Sequence, residues 1–525
     1  FRTETGETVL GRSVYQPADF TGLRSAFFTH NYVLPPGWME QTGTDYRRLL
    51  NAQFADHYDI ELGPDLPELG DLPVAKDGQN MTAAEVMALL EELHIDEKVF
   101  KQLLFAAMSS VSGKKKVYIV LDVPVEQLSV KARELLHVLY GSLPYALRSE
   151  LGFLTYAKEP QSKKGIHLTF VEKGGLRLGD RSVEKDYLFE LAAGPVINVD
   201  LDWSKQPYLD FAWANLRNPE RLEDFYAFAD QMMEGMEPIR RISVAGYHEL
   251  CMLYQIDQGR EELYTAQPGT VLRCILDYLS TPGAVHAKAR LNQLFLTRFD
   301  KELDRVKLGE VPGTDIIESI KDYYAVDGKN FGLRIVEYFI RTINNALSQQ
   351  REDIAQAAYG MLESTPALSR TFFARVLSSP GLPALLFEPY IENRLKQAAT
   401  ASDLVELAGA WVQNHPIVLE NAVFTKLAET QLMDKLGRES DPVRAVNAVM
   451  DQLDDLERDP GRGLGQIEGG SRFVDRLVYA ANLFLLKDLD LERLSREQLL
   501  DIGFLRESKE LRSWVSRFDA RIRSK

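Results

Sequence analysis

Apolar and polar positions change their rhythm once along this chain, near Phe211. Before that point short alternating or continuous apolar runs predominate, and after it the spacing is helical to the end. The stretch Val9–Leu34 reads as two strands, roughly Thr8–Tyr15 and Ser25–Leu34, rich in Val, Phe, Tyr and Thr. Gln16-Pro17-Ala18-Asp19 and Gly22 between them punctuate a long hairpin loop. Period-two alternation puts Phe28, His30, Tyr32 and Leu34 on one face and Phe27, Thr29, Asn31 and Val33 on the other. A strand apolar on both faces, with polar handles, is expected to be covered and not an edge. A short helix around Tyr46–Phe54 follows, then an acidic connection rich in Pro and Gly over Glu61–Gly78. Thr82 with Glu85 has capping-box spacing ahead of an apolar stripe, and Glu97–Val111 predicts the next helix.

Lys116–Asp122 is a nearly continuous apolar strand ending in an acid, and Glu126–Tyr140 carries an apolar stripe of Leu128, Ala132, Leu135, Leu136 and Leu139. A helical turn through Arg148 leads to further strands at Gly152–Ala157, Ile166–Glu172 and Tyr187–Ala192. Strand, helix, strand predicts a βαβ crossover in a mixed sheet. Beyond Phe211 the strongest helices are Leu222–Met236, Val285–Phe299, Phe331–Leu347, Pro366–Leu377, Asp403–Val412 and Phe473–Leu486, with Pro219 and Pro366 at helix starts. The expected fold is therefore an α+β or α/β domain with a mixed sheet over residues 1–210. An all-helical region over 211–525, bundle or solenoid-like and divisible into two subdomains, follows it. No fixed-period sequence repeat accompanies it.

Composition changes this picture little. The 525 residues are 45% hydrophobic and 26% charged, which is ordinary for a globular protein. A net charge of −16 argues against binding to a nucleic-acid backbone, and no apolar run approaches a membrane span. Cys251 and Cys274, in predicted helices at no metal-ligand spacing, favour a reducing compartment, hence a cytoplasmic location. Phe1 is not an initiator methionine and the chain opens almost directly on a strand. The expectation is a fragment without its upstream part, in which a missing targeting signal proves little.

Candidate chemistry is sparse. Ser112-Gly113-Lys114-Lys115 lacks the first glycine and the hydroxyl of a phosphate loop and precedes a strand where a helix is needed. Asp122 reads instead as a strand-end residue capping the turn into the next helix. The glycines of 461–470 lack the strand and spacing of a dinucleotide fingerprint and read as a loop. No metal motif and no nucleophile elbow occur, so no cofactor and no metal are expected. Polar groups in or beside strands are the remaining candidates for binding a ligand or partner: Arg12, Arg24, His30, Arg148 and His167. Guanidinium groups there need a carboxylate or phosphate. The plain alternative is internal pairing, for instance with Asp19 or Glu150, and histidines whose ring nitrogens are satisfied by neighbours. His30 and His167, both on predicted strands, would face each other across the sheet.

VLGRSVYQPADFTGLRSAFFTHNYVL (Val9–Leu34), together with KKVYIVLD (Lys115–Asp122) and LPYALRSELGFLTYA (Leu143–Ala157), resembles the N-terminal domain, second type, of the bacterial GTPase-associated protein 1 family. The resemblance covers about the first 200 residues and part of the helical region. It implies a large multidomain protein working with a GTPase in bacterial defence or conflict, and brings no catalytic residues with it. Two functions are carried forward. One is a non-catalytic adaptor or regulatory subunit that binds a GTPase or other protein. The other is an enzyme acting on a nucleotide or other anionic substrate through Arg12, Arg24, His30 and His167. A cleft gathering those four side chains favours the enzyme; internally paired arginines favour the adaptor.

Overall fold

A computed structural model describes residues 1–488, except 19–20, 39–45, 59–62, 64–65, 67, 76–80, 178–180, 193, 195, 203–205 and 460–462, together with 520 and 523. The chain forms two compact units, Phe1–Leu294 and Phe295–Lys525, divided within the helix Ala289–Lys307.

In the first unit, β1 (Thr8–Gln16) and β2 (Ala26–Leu34) pair antiparallel as a separate two-stranded sheet. The remaining strands make a five-stranded mixed sheet: β3 (Val117–Val120), β4 (Phe153–Ala157), β5 (Leu168–Val171), β6 (Tyr187–Glu190) and β7 (Val196–Ile197), in the order β4-β5-β3-β6-β7. Only β7 runs antiparallel. Every residue of β3 and β5 is buried, as continuous apolar runs in parallel strands require. One face of β3 and its neighbours, with Tyr118, Val120, Val171 and Leu188, closes on Leu176 and Val183 from the segment between β5 and β6. The helix Val125–Gly141 supplies the crossover and packs on β4 and β5, while Glu97–Ser112 packs on β3. Thr82 and Glu85 form the expected capping box at the start of Ala83–Glu92.

Among the described residues every strand lies before residue 198, and helices follow from Pro207. The first unit nonetheless continues to Leu294, because Pro207–Ala214 packs on Glu97–Ser112 and then on Val244–Asp257. Pro219 and Pro366 sit in the first turns of their helices, where a missing N–H costs nothing.

In the second unit each helix packs on the next and the next but one, the middle ones through the ring contacts Tyr359–Tyr390, Phe373–Tyr390 and Phe373–Trp411. The series runs Thr314–Ser348, Glu352–Glu363, Pro366–Leu377, then Glu388–Gln397, Ala401–Asn414, Ala422–Arg438, Pro442–Arg458 and Gly470–Leu483. That is a solenoid-like stack of helical hairpins. The longest helix is broken at Asp327 (φ −147°, ψ 45°), beside Gly328, with Asn330 donating to the Asp327 carboxylate at 2.7 Å.

Three expectations are corrected. The hairpin is not a covered layer of the main sheet: Tyr15, Phe27 and Val33 are 59%, 70% and 66% exposed. His30 and His167 do not face each other, since one lies in the hairpin and the other just ahead of β5 in the second sheet. Asp122 caps no helix; Pro124 holds the cap position without a side-chain bond, and Asp122 pairs with Lys173 at 2.7 Å. In the glycine-rich segment 461 and 462 lie outside the described residues, and Leu464–Gln466 is a short 3-10 turn between helices.

Candidate partner-binding surface

The two faces of the hairpin have different fates, and strand register decides which residue goes where. Inward, Val14↔Phe28, Arg12↔His30, Leu10↔Tyr32 and Thr8↔Leu34 are paired. Leu34, Leu10 and Tyr32 from this side close a small core with Leu49, Leu72, Trp38 and Ala52. Tyr32 stacks near His30 (4.6 Å) and Phe54 (5.2 Å), and its hydroxyl donates to the Gln53 carbonyl at 2.6 Å. The Ala55 N–H donates to His30 Nδ1 at 2.9 Å, which leaves the ring proton on Nε2. His30 therefore fastens the hairpin to the 51–56 segment.

Outward, Tyr15↔Phe27, Ser13↔Thr29, Gly11↔Asn31 and Val9↔Val33 form the other face. The rings of Tyr15 and Phe27 meet edge to face at 5.7 Å, and the Ser13 and Thr29 hydroxyls are hydrogen-bonded at 2.8 Å. Cross-strand pairs of this kind stiffen a hairpin. Two aromatic rings and a valine thus lie exposed on one preformed sheet face, with Leu23 of the turn 85% exposed. Large apolar side chains grouped in this way make the face a candidate interaction surface.

Of the residues singled out from sequence, Arg12 and Arg24 are exposed, the first opposite His30 and the second in the turn region. Asp56 has its carboxyl held below the ordinary range by a hydrogen bond from His57, with a smaller contribution from the Arg12 charge. Arg148 lies elsewhere and is 1% exposed. Its Nη2 donates to Glu223 Oε1 at 2.8 Å and its Nε to the Leu143 carbonyl at 2.6 Å. The guanidinium carbon lies 4.9–5.0 Å from the ring centres of Tyr46, Tyr145 and Tyr226. Glu150 pairs with Arg2 instead. His167 Nδ1 accepts from the Gly152 N–H at 3.0 Å, and burial, with the Lys116 charge, pulls its pKa down to about 4. Asp19 lies outside the described residues. Arg12, Arg24 and His30 therefore belong to the hairpin, while Arg148 and His167 lie outside it, each with partners of its own.

Sequence reasoning did not single out the exposed pair Tyr15 and Phe27. The signal was present in the alternation, since both belong to the face that also carries Thr29 and Asn31.

Among the described residues no group of three or more His, Cys, Asp or Glu side chains is arranged to hold a metal ion. No helix there is long and apolar enough to cross a membrane. Cys251 and Cys274 are buried and not joined in a disulfide, with burial raising the Cys251 thiol to about 12.

Residues 1–72 match the family model described as GTPase-associated protein 1, N-terminal domain type 2, and residues 89–193 match that described as GTPase-associated protein 1, middle domain. No curated protein and no solved structure matches the chain.

Proposed function

We propose, from the membership of this chain in the GTPase-associated protein 1 family, that it is a non-catalytic adaptor whose hairpin docks a protein partner. The partner indicated by the family's name is a GTPase, and the setting we assign is the cytoplasm of a bacterium, in defence or conflict. One observation carries the reading: the outer face of β1 and β2 presents Tyr15, Phe27 and Val33 to solvent while the inner face is anchored. Aromatic anchors on a rigid support are what a protein interface concentrates its binding energy upon. The helical stack of the second unit supplies the scaffold. Arg148, enclosed by Glu223 and three tyrosines, supports the adaptor over the enzyme, because its charge is satisfied within the fold.

The test uses wild-type chain and Phe27→Glu as paired baits in the native host, with mass spectrometry of what co-purifies. A GTPase enriched by the wild type and lost with Phe27→Glu, at unchanged melting temperature, is the expected result. Equal capture by both baits, or no GTPase with either, would overturn the docking role of the hairpin.

A further inference from the structure

Within the first unit a cavity of about 300 Å³ opens where three helices meet: the start of Ala83–Glu92, the end of Val125–Gly141 and the start of Pro219–Met233. A cavity of roughly 150 Å³ accommodates benzene, so this volume suits about a dozen non-hydrogen atoms. Met81, Val86, Leu216 and Leu222 give it apolar walls, and Arg47, His137 and Glu223 also line it. Apolar walls with a few polar groups are the ordinary make-up of a small-molecule site.

Charge decides which molecule fits. The Glu223 carboxylate is occupied, its Oε1 accepting from Arg148 Nη2 and its Oε2 from the Tyr145 hydroxyl, both at 2.8 Å. That pair adds no net charge, and the remaining ionic side chain of the lining is Arg47, which is half-buried. A second guanidinium, Arg133, lies one turn before His137 on the same helix, exposed and with no carboxylate partner among the described residues. The His137 ring feels both cations: burial first, then the Arg133 and Arg47 charges, pull its pKa down to about 4. Its Nε2 already faces Asn51 Oδ1 at 3.2 Å, so the ring reports the potential around it and is not itself the ligand's partner. A positive potential in a chain of net charge −16 is local to this place. A guanidinium fork matches a carboxylate or a phosphate. One guanidinium in the lining balances a single charge, which favours the carboxylate over a phosphate monoester carrying about −1.5 to −2 near pH 7.

We propose that this cavity binds a small amphiphilic carboxylate, one anionic head on an apolar body. The body lies against Met81, Val86, Leu216 and Leu222, and the head meets the Arg47 guanidinium within the field of Arg133. This site is separate from the outer face of the hairpin and needs no protein partner.

Octanoate is the probe, titrated into the full chain by calorimetry, with octylamine as its cationic counterpart and octyl phosphate as the alternative anion. Saturable octanoate binding is expected, at least tenfold tighter than that of octylamine although the net charge of the chain favours the amine. Val86→Trp, which fills the cavity, and Arg47→Gln should each weaken octanoate at least tenfold, while Arg47→Lys, which keeps the charge, should stay within about threefold of wild type. No saturable octanoate binding, octylamine or octyl phosphate binding tighter than octanoate, or octanoate binding that survives Val86→Trp or Arg47→Gln would overturn the proposal. Should Val86→Trp fail to fold, the two Arg47 variants decide, because a loss with Gln that Lys repairs requires the charge itself.

Discussion

Glu223→Ala should loosen the first unit far more than its own exposure implies. The Glu223 side chain is 41% exposed, whereas that of Arg148, its partner at 2.8 Å, is fully buried. Removing the carboxylate therefore takes an ionic acceptor from a guanidinium that water does not reach. Breaking a buried pair from one side costs about 3–5 kcal/mol. Here the Leu143 carbonyl and three tyrosine faces stay on the cation, so the lower end, about 3 kcal/mol, is expected. The Tyr145 hydroxyl loses the same carboxylate as an acceptor. Hydrogen exchange read by mass spectrometry on Tyr145–Glu150 and Pro219–Met233 reports the local opening free energy. About 3 kcal/mol is roughly a 150-fold loss of protection at 1.36 kcal/mol per decade. Arg148→Met loses the cation–π contacts and the Leu143 bond, but leaves Glu223 free to rehydrate. The double variant should then cost no more than Arg148→Met alone, a strong departure from additivity. Protection changed less than threefold by Glu223→Ala, or additive effects in the double variant, would refute this account.

Phe27→Glu on the hairpin's outer face should change the melting temperature little, within ~0.5 kcal/mol of stability, as surface positions do; a large fall would mean the face is covered. Acidification should destabilise the fold, because His137, His167, His248 and His415 are each lowered to about 4, chiefly by burial. The unfolded chain takes up these protons first, so stability is complete above about pH 6.5 and falls as pH drops towards 4. Melting temperatures from pH 7.5 to 4.5 should follow that sign, with a shallower fall in His167→Gln; a flat profile contradicts it. Gly152→Ala should lower the melting temperature by about 5 °C, from ~1–3 kcal/mol of overpacking. A Cβ there would overlap the Gly165 carbonyl oxygen, and unchanged melting would show that the approach relaxes freely.

Elements built from local signals were legible in the sequence. The Thr82–Glu85 capping box, the crossover helix and the proline starts at 219 and 366 are each fixed by residues within a few positions of one another. What required the third dimension was layering. β3 and the hairpin strands both read as apolar on two faces, yet β3 gains a strand on either side while, among the described residues, the hairpin gains only the isolated bridge Arg2–Thr8. Pairing distance decides between them: β3 meets β5 and β6 through segments that the chain must bring together, and periodicity is silent on that. The same holds for Arg148, whose need for an acid was evident while Glu223, 75 residues further on, was not.

The histidines show why the candidate chemistry resolved into structure. His30, His167 and His248 each use Nδ1 to accept a backbone N–H, from Ala55, Gly152 and Tyr208 respectively. A ring nitrogen used this way gives a partner to a backbone N–H of another segment, and sequence offers no sign of it because the donor can be any residue type. The hairpin is the converse case. Its inner face holds His30 and Tyr32 against the 51–56 segment, so Tyr15 and Phe27 are held out together with no freedom to turn inward. An apolar residue that folding could bury on its own face but leaves 70% exposed, as at Phe27, contributes nothing to the core. Beyond its edge-to-face pairing with Tyr15, its contribution under the proposed docking role is to a partner, which makes the outer face of the hairpin the first place to mutate.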